Sequence, residues 1–195
     1  PESMEIVLMR MFTFAALTVS SVALAENIDV VDDIVTSETW TADNVYNLTT
    51  QIYVRPGATL TIQGGTRVVS TATANGSGAL CVTNGAQLFV NGDSNAPVVM
   101  TSNLDDGTWR ASCNEWGNLT ICGDAYIGFD GITNSGGFPG NTLAPSASNE
   151  ANMEGLVEEA GNPTLNNYGG GDDNYDAGSI SCLLYTSDAA DEGGS

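Results

Sequence analysis

Residues 52–64 read IYVRPGATLTIQG, and residues 80–92 read LCVTNGAQLFVNG. The two stretches align without a gap at an offset of 28 residues, and each carries a Gly-Ala pair midway. Apolar residues alternate with polar ones along both, which is the pattern of a β-strand with one buried face. The residues at matching inward positions are Ile52, Val54, Leu60 and Ile62 in the first stretch and Leu80, Val82, Leu88 and Val90 in the second.

A repeat of this length describes a unit that cannot bury its own apolar face, so stacked units must close the core between them. Pro56 before Gly57 fits a β-turn with proline at its second position and glycine at its third. A looser third copy covers residues 119–127. The sequence therefore predicts an all-β fold, a right-handed parallel β-helix. The alternative is an antiparallel sandwich of two similar hairpins, because Pro-Gly and Asn-Gly also favour hairpin turns.

The repeat pattern ends after the third copy. Residues 128–149 are rich in Gly, Ser, Asn and Pro, which is typical of a long loop. Residues 152–160 place Met153, Leu156, Val157 and Ala160 on one helical face, and the glycine and proline that follow favour a helix end. We therefore expect residues 51–181 to form the coils, with a loop and a short helix inserted at 128–165.

Composition and charge exclude several classes of function. The net charge is −20, so the surface repels phosphate backbones and we expect no nucleic-acid partner. The chain contains no histidine, which rules out a Ser-His-Asp triad and a His-ligated zinc site within it. It also contains no lysine, so lysine-based catalysis is excluded.

The first 25 residues have the order of an export signal. Arg10 precedes an apolar run at 11–22, and Ala23-Leu24-Ala25 follows as a cleavage site. Twelve apolar residues are too few to span a bilayer, so we expect export and no membrane span after cleavage. The expected localisation is secreted, cell-surface or periplasmic. Cleavage leaves an acidic lead at 26–50, which we expect to supply capping strands.

The C-terminal residues do not continue the repeat pattern. Residues 182–192 read CLLYTSDAADE and resemble the translation of a sequencing adapter. We therefore expect residues 182–195 to be an artefactual tail without specific contacts to the coils, and the β-helix to be truncated near Ser181. A natural acidic tail is the alternative.

Three cysteines precede this tail. Cys113 and Cys122 lie nine positions apart around a glycine, and Cys122 alternates out of phase with Leu119, so it should face a covering loop. An exported protein meets an oxidising environment. We predict a disulfide between Cys113 and Cys122. Cys81 is the rival partner, because the alternation along its strand also directs its side chain away from the core.

A second candidate site is acidic. Asp172, Asn174 and Asp176 alternate like the first ligands of a calcium loop, and hard oxygen ligands at this spacing suit Ca²⁺. The glycine and glutamate positions that complete such a loop are missing. A solvated acidic turn is the alternative. Asp105, Asp106, Glu115 and Asp130 could also supply an acid pair for sugar chemistry.

Several stretches resemble a group of exported bacterial proteins with a right-handed parallel β-helix and no established function. They are VVMTS at 98–102, EWGNLTI at 115–121, MEGL at 153–156 and YGGGDD at 168–173, within a similarity that runs from about Thr36 to Ser181. The resemblance implies the fold and an exported location. It implies no catalytic residues.

Two functions follow as hypotheses. The first is an exported structural or binding β-solenoid at the cell surface or outside the cell, with polysaccharide or cell-surface components as partners. The second is the N-terminal part of a carbohydrate-active β-helix enzyme, a lyase or hydrolase, whose catalytic coils follow further along the chain. Fold analogy alone supports the second.

Overall fold

The structure is a computed structural model, and it describes residues 25–73, 76–108, 115–128, 144–153, 155–157 and 159–185. Short strands dominate it. In chain order they are β1 (Glu26–Val30), β2 (Glu38–Trp40), β3 (Asn44–Leu48), β4 (Gln51–Val54), β5 (Thr59–Gln63), β6 (Arg67–Ser70), β7 (Ala72–Thr73), β8 (Gly76–Ser77), β9 (Ala79–Val82), β10 (Gln87–Asn91), β11 (Val98–Ser102), β12 (Leu119–Ile121), β13 (Ala151–Asn152), β14 (Asn167–Tyr168), β15 (Gly178–Ser181) and β16 (Leu183–Tyr185).

Three parallel sheets form the body of the molecule. Their strand orders are β1-β3-β6-β11-β16, β4-β9-β12 and β2-β5-β10-β15. The chain visits the three sheets in turn, so β3, β4 and β5 make one coil and β6, β9 and β10 make the next. This confirms the parallel β-helix and excludes the antiparallel sandwich. In the described ranges, antiparallel pairing is confined to β7–β8, β13–β14 and two isolated bridges.

The strand register explains the internal repeat. Ile52 lies beside Leu80 in β4 and β9, and Leu60 lies beside Leu88 in β5 and β10. The inward residues of one copy therefore stack on their counterparts in the other. All eight of them have no exposed surface. Burial of each such aliphatic side chain stabilises the fold by about 1.5–3 kcal/mol, so the stack is the main source of stability.

The turn between the second and third sheets repeats along with the strands. Ala58 N donates to Arg55 O at 2.9 Å, which closes a β-turn with Pro56 and Gly57 at its centre. Gly57 has a φ of 86°, as the predicted turn type requires. The equivalent turn at residues 83–86 has the same closing bond, and Gly57 N donates to Gly85 O at 2.7 Å. The two turns therefore form a stack of their own.

The third copy of the repeat stacks only in its first half. Leu119 lies beside Leu80, as expected, but the chain then leaves the coil after β12. It returns at β15, which pairs with β10 in the third sheet. The described residues between 144 and 176 form the inserted segment, which we call the outer layer.

The predicted helix at 152–160 is wrong. Asn152 belongs to β13, and no helix occurs in the part of the chain that the structure describes. Gly155 has a φ of 84°, which interrupts a helix in its middle. Val157, expected on the buried face, is 73% exposed. Among these residues there is accordingly no helix that could cross a membrane.

The expectation that the tail makes no contacts is also wrong for its first residues. β16 pairs with β11, with Val98 beside Leu183. Val98 N donates to Cys182 O at 3.0 Å, and Tyr185 meets Trp116 edge-on with ring centroids 5.8 Å apart. The open edge of β11 accepts this segment through backbone hydrogen bonds, which depend little on sequence. Residues 186–195 lie outside the described residues.

Candidate functional site

Three side chains in and just after β4 bond to one part of the outer layer. Gln51 Nε2 donates to Val157 O at 2.8 Å, and Val157 N donates back to Gln51 Oε1 at 2.9 Å. Tyr53 Oη also donates to Val157 O, at 2.8 Å. Gln51, Tyr53 and Arg55 alternate along the chain, so they share the outward face of the coil.

Arg55 is held by two carboxylates. Its Nε lies 2.5 Å from Asp33 Oδ2, and its other contact is an ion pair with Glu159 of the outer layer. The arginine therefore joins the coil of β3, β4 and β5 to the segment between β1 and β2 and to the outer layer. A second arginine, Arg67, pairs with Asp105 at 3.6 Å. Both arginines have structural partners, which leaves neither as a free cation for an acidic substrate.

A small apolar cluster fills the space between the second sheet and the outer layer. Its buried members are Tyr53, Cys81, Cys122 and Leu165, and Met153, Leu156 and Tyr168 pack against it. Burial raises the pKa of Tyr53 to about 12, so its hydroxyl stays a hydrogen-bond donor at neutral pH. The outward phase predicted for Cys81 and Cys122 is confirmed by their place in this cluster.

The three predicted calcium residues line one groove. It has a volume of about 360 Å³ and runs between the stacked turns and the end of the outer layer. We call it the turn groove. Its lining residues are Gly57, Ala58, Thr59, Gly85, Gln87, Asp172, Asn174, Tyr175 and Asp176.

The backbone of this loop already uses part of its carboxylate oxygens. Asp172 Oδ1 accepts a hydrogen bond from Asn174 N at 2.9 Å, and Asp176 Oδ1 accepts one from Gly178 N at 2.8 Å. These are turn-capping contacts, as expected for a solvated acidic turn. No group of three or more His, Cys, Asp or Glu residues able to hold a metal occurs among the described residues. Calcium binding at Asp172, Asn174 and Asp176 stays a prediction.

A second groove lies on the other side of the same turn stack. It measures about 300 Å³, and its walls are Pro56, Thr83, Asn84, Glu150, Thr164, Leu165 and Asn167. Asn167 Nδ2 donates to Glu150 Oε2 at 2.9 Å, which orients the carboxylate within the outer layer. No sequence pattern predicts this groove, because its walls come from segments more than 60 residues apart that no periodicity connects.

Among the residues considered for an acid pair, the structure defines the ionisation of Asp105. Hydrogen bonds from Gly107 N and Thr101 Oγ1, at 2.9 and 2.8 Å, lower the pKa of Asp105 below its usual value. Its carboxylate therefore stays ionised and is unsuited to act as a general acid. Glu115 is 9% exposed, and Asp130 lies outside the described residues.

The predicted disulfide between Cys113 and Cys122 is not tested, because Cys113 lies outside the described residues. Cys122 is a buried free thiol, and its neighbour in the structure is the rival partner, Cys81. The hydrogen bond between the two thiols, followed by burial, raises the pKa of Cys81, which therefore keeps its proton at neutral pH.

Comparison with known proteins agrees with the architecture. A search of curated proteins and a search of solved structures each find no match. A family model described as a pectate-lyase-like β-helix domain matches residues 32–191. That range contains most of the coils and the whole outer layer. With three parallel sheets, stacked turns and a match over most of its length, the chain belongs to the family of pectate-lyase-like β-helix domains.

Proposed function

We propose that the protein is an exported β-solenoid that binds neutral polysaccharide at the cell surface or outside the cell, with the turn groove as its contact region. The observation that carries this proposal is the groove itself. Rigid stacked turns form one wall, and a loop rich in polar side chains forms the other. Binding sites on loops held by a rigid scaffold are a common arrangement.

The chemistry of the turn groove suits sugar hydroxyls. The carboxylates of Asp172 and Asp176 each keep an oxygen that can accept from a hydroxyl, and the amide of Asn174 can both donate and accept. Gln87 Nε2 donates to Asp176 O at 3.0 Å and has a second hydrogen to offer. Gly57 contributes no side chain to the floor, and nothing lies within 4 Å of where a Cβ would stand. One face of a sugar ring can therefore approach the backbone.

The charge of the protein selects among polysaccharides. With a net charge of −20 and two carboxylates in the groove, an anionic polysaccharide would be repelled. A neutral chain meets no such penalty. The expected ligand is therefore a neutral glycan, and the expected salt dependence of binding is small.

A panel of neutral and anionic polysaccharides tests this proposal by affinity electrophoresis. We expect retardation by at least one neutral polysaccharide and none by polygalacturonate. Asn174→Ala and Gln87→Ala should each weaken binding by about tenfold, which corresponds to the loss of about one hydrogen bond. Asn95→Ala is the matched control, because Asn95 lies in an exposed turn outside the groove. Equal binding by all three variants would refute the role of the groove.

A carbohydrate-active enzyme is the second candidate, and the family match favours it. It differs from a binding scaffold in its product. Incubation with the same polysaccharides should release new reducing ends if the chain is a hydrolase, or unsaturated sugars that absorb in the ultraviolet if it is a lyase. We expect binding without either product, since Arg55 and Arg67 are engaged in ion pairs and Asp105 is held ionised.

A further inference from the structure

Two cysteine thiols lie side by side under the outer layer, and polysaccharide binding has no use for them. Cys81 stands on β9 between the inward residues Leu80 and Val82. Cys122 follows β12 directly, and its backbone N donates to Val82 O at 2.8 Å. Both side chains are fully buried free thiols, and both belong to the small apolar cluster beneath the outer layer.

The strand register sets the distance between their backbones. Cys81 lies opposite Thr120, so Cys122 stands two residues further along the neighbouring strand. With strands about 4.8 Å apart and a rise of about 3.3 Å per residue, their Cα atoms are separated by about 8 Å. Disulfides join Cα atoms at about 4.4–6.8 Å, so a disulfide here would require the backbone to move.

A bridging metal ion fits this separation better than a direct sulfur–sulfur bond. Two metal–sulfur bonds of about 2.3 Å span as much as about 4.6 Å between sulfurs, whereas a disulfide holds its sulfurs about 2 Å apart. The backbone then keeps its register. The diagonal placement of the two cysteines is therefore suited to an ion held between them.

A third sulfur belongs to the same patch. Met153 packs against the cluster that contains both cysteines. Its backbone N donates to Asn166 O at 2.8 Å, and the Sγ atom of Cys122 lies 3.9 Å from that same carbonyl oxygen. Tyr53 and Leu165 are the other buried members of this cluster. Two thiols and a thioether in an apolar shell form a soft donor set, which selects copper(I) and silver(I) over hard cations.

We propose that Cys81, Cys122 and Met153 form a binding site for one soft monovalent ion of the copper(I) class. Binding follows Cu⁺ + 2 RSH → [Cu(SR)₂]⁻ + 2 H⁺, and the thioether of Met153 adds as a neutral third ligand. No electron is transferred. Because two protons leave, affinity should rise with pH.

Anaerobic titration of the full chain with copper(I), in competition with a chromophoric copper(I) chelator, tests the site. We expect one ion per chain. Cys81→Ser and Cys122→Ser should each lower the affinity by about a hundredfold, and Met153→Leu by about tenfold. A chain with both Cys113→Ser and Cys182→Ser keeps the two proposed ligands and serves as the control. X-ray absorption of the loaded protein should show sulfur neighbours at about 2.3 Å.

A purely structural role for the thiols gives a different result. In that case the variants would change the melting temperature while chelator competition stayed the same. Unchanged competition in Cys81→Ser or Cys122→Ser would overturn the proposal. Recovery of Cys122 in a disulfide, with either Cys81 or Cys113, from protein purified without reductant would overturn it as well. Alanine variants, which bury no hydroxyl, replace any serine variant that fails to fold.

Discussion

At the scale of single residues, the hydrogen bonds of Asp105 should make its contribution to folding stability depend on pH. Its pKa lies below the usual 3.8 because Gly107 N and Thr101 Oγ1 donate to its carboxylate. A lowered pKa in the folded state means that the charged form stabilises the fold above the ordinary pKa. This contribution is lost as pH falls through the folded-state value.

The expected consequence is a stability difference that disappears in acid. Asp105→Asn should reduce the free energy of unfolding by about 1 kcal/mol at pH 7, and this deficit should shrink at an acidic pH below the folded-state pKa of Asp105. Denaturant unfolding at the two pH values measures it. Asp43→Asn, at an exposed turn, is the control and should change stability at neither pH. A deficit of equal size at both pH values would contradict the assignment.

Glycines in this fold have two different physical roles, and substitution separates them. At Gly78, a Cβ would stand 2.2 Å from Leu48 O, which is backbone of the neighbouring coil and cannot move aside cheaply. At Gly57 nothing lies within 4 Å, but φ is 86°. Gly78→Ala forces coils apart, whereas Gly57→Ala only strains a turn.

We expect Gly78→Ala to cost about 3 kcal/mol and Gly57→Ala about 1 kcal/mol in the free energy of unfolding. Denaturant titration of the two variants and the parent chain, all of the same length, measures both values. The pair is internally controlled, since each substitution adds one methyl group to a glycine. The reverse order of costs would mean that the coils are less closely packed at residue 78 than the structure shows.

At the scale of elements, β16 is the strand whose contribution is least evident from sequence. Its residues resemble adapter-derived sequence, yet they pair with β11 and bring Tyr185 against Trp116. Truncation after Ser181 removes this pairing, and truncation after Tyr185 keeps it. We expect the shorter chain to melt about 4 °C below the longer one. Identical melting temperatures would show that 182–185 add nothing to stability.

The acidic loop before β15 carries the calcium hypothesis. One carboxylate oxygen of Asp172 and one of Asp176 each accept a hydrogen bond from a backbone N–H group. The loop therefore offers fewer oxygen ligands than the six to eight that Ca²⁺ prefers. Any binding should therefore be weak, with a dissociation constant of about 1 mM or above. Isothermal titration calorimetry measures it, and Asp172→Asn should remove the heat while retaining the turn cap. Micromolar binding would show that further ligands complete the site.

The elements that could be predicted from sequence are those with a periodic signal. The 28-residue offset placed Ile52 on Leu80 and Leu60 on Leu88 because stacked coils repeat the same inward positions. The outer layer had no such signal. Gln51 meets Val157 across 106 residues, and no local pattern encodes that contact. The helix prediction failed because four apolar residues at helical spacing also suit a turn-rich segment interrupted by Gly155.

At the scale of the whole molecule, the turn groove has one side that could be predicted from sequence, the acidic loop, and one that could not, the stacked turns. Asp172, Asn174 and Asp176 were singled out by their spacing, and they do line the groove. The wall opposite them was not predictable, because it comes from the two stacked turns around Gly57 and Gly85. A site between the repeating coils and an inserted segment can be predicted from sequence only for those of its residues that lie close together in the chain.

We propose that the whole molecule is exported, because the polysaccharide proposed as its ligand lies at the cell surface or outside the cell. The order of a cationic residue, an apolar run and Ala23-Leu24-Ala25 predicts cleavage before Glu26. Expressed from Met4 in a bacterium, the chain should be recovered outside the cytoplasm, and Edman sequencing should begin at Glu26. A chain that starts at Glu26 behind an initiator Met is the control and should remain in the cytoplasm.

Blocking the cleavage site sharpens this test. Signal peptidase requires small residues at the first and third positions before the cut, so Ala25→Phe should leave the signal attached and hold the protein at the membrane. The uncleaved variant should be larger by the signal and extractable only with detergent. An exported wild-type chain that begins anywhere other than Glu26 would place the cleavage site elsewhere. Equal partition of the wild type and the signal-free control would show that residues 1–25 do not direct export.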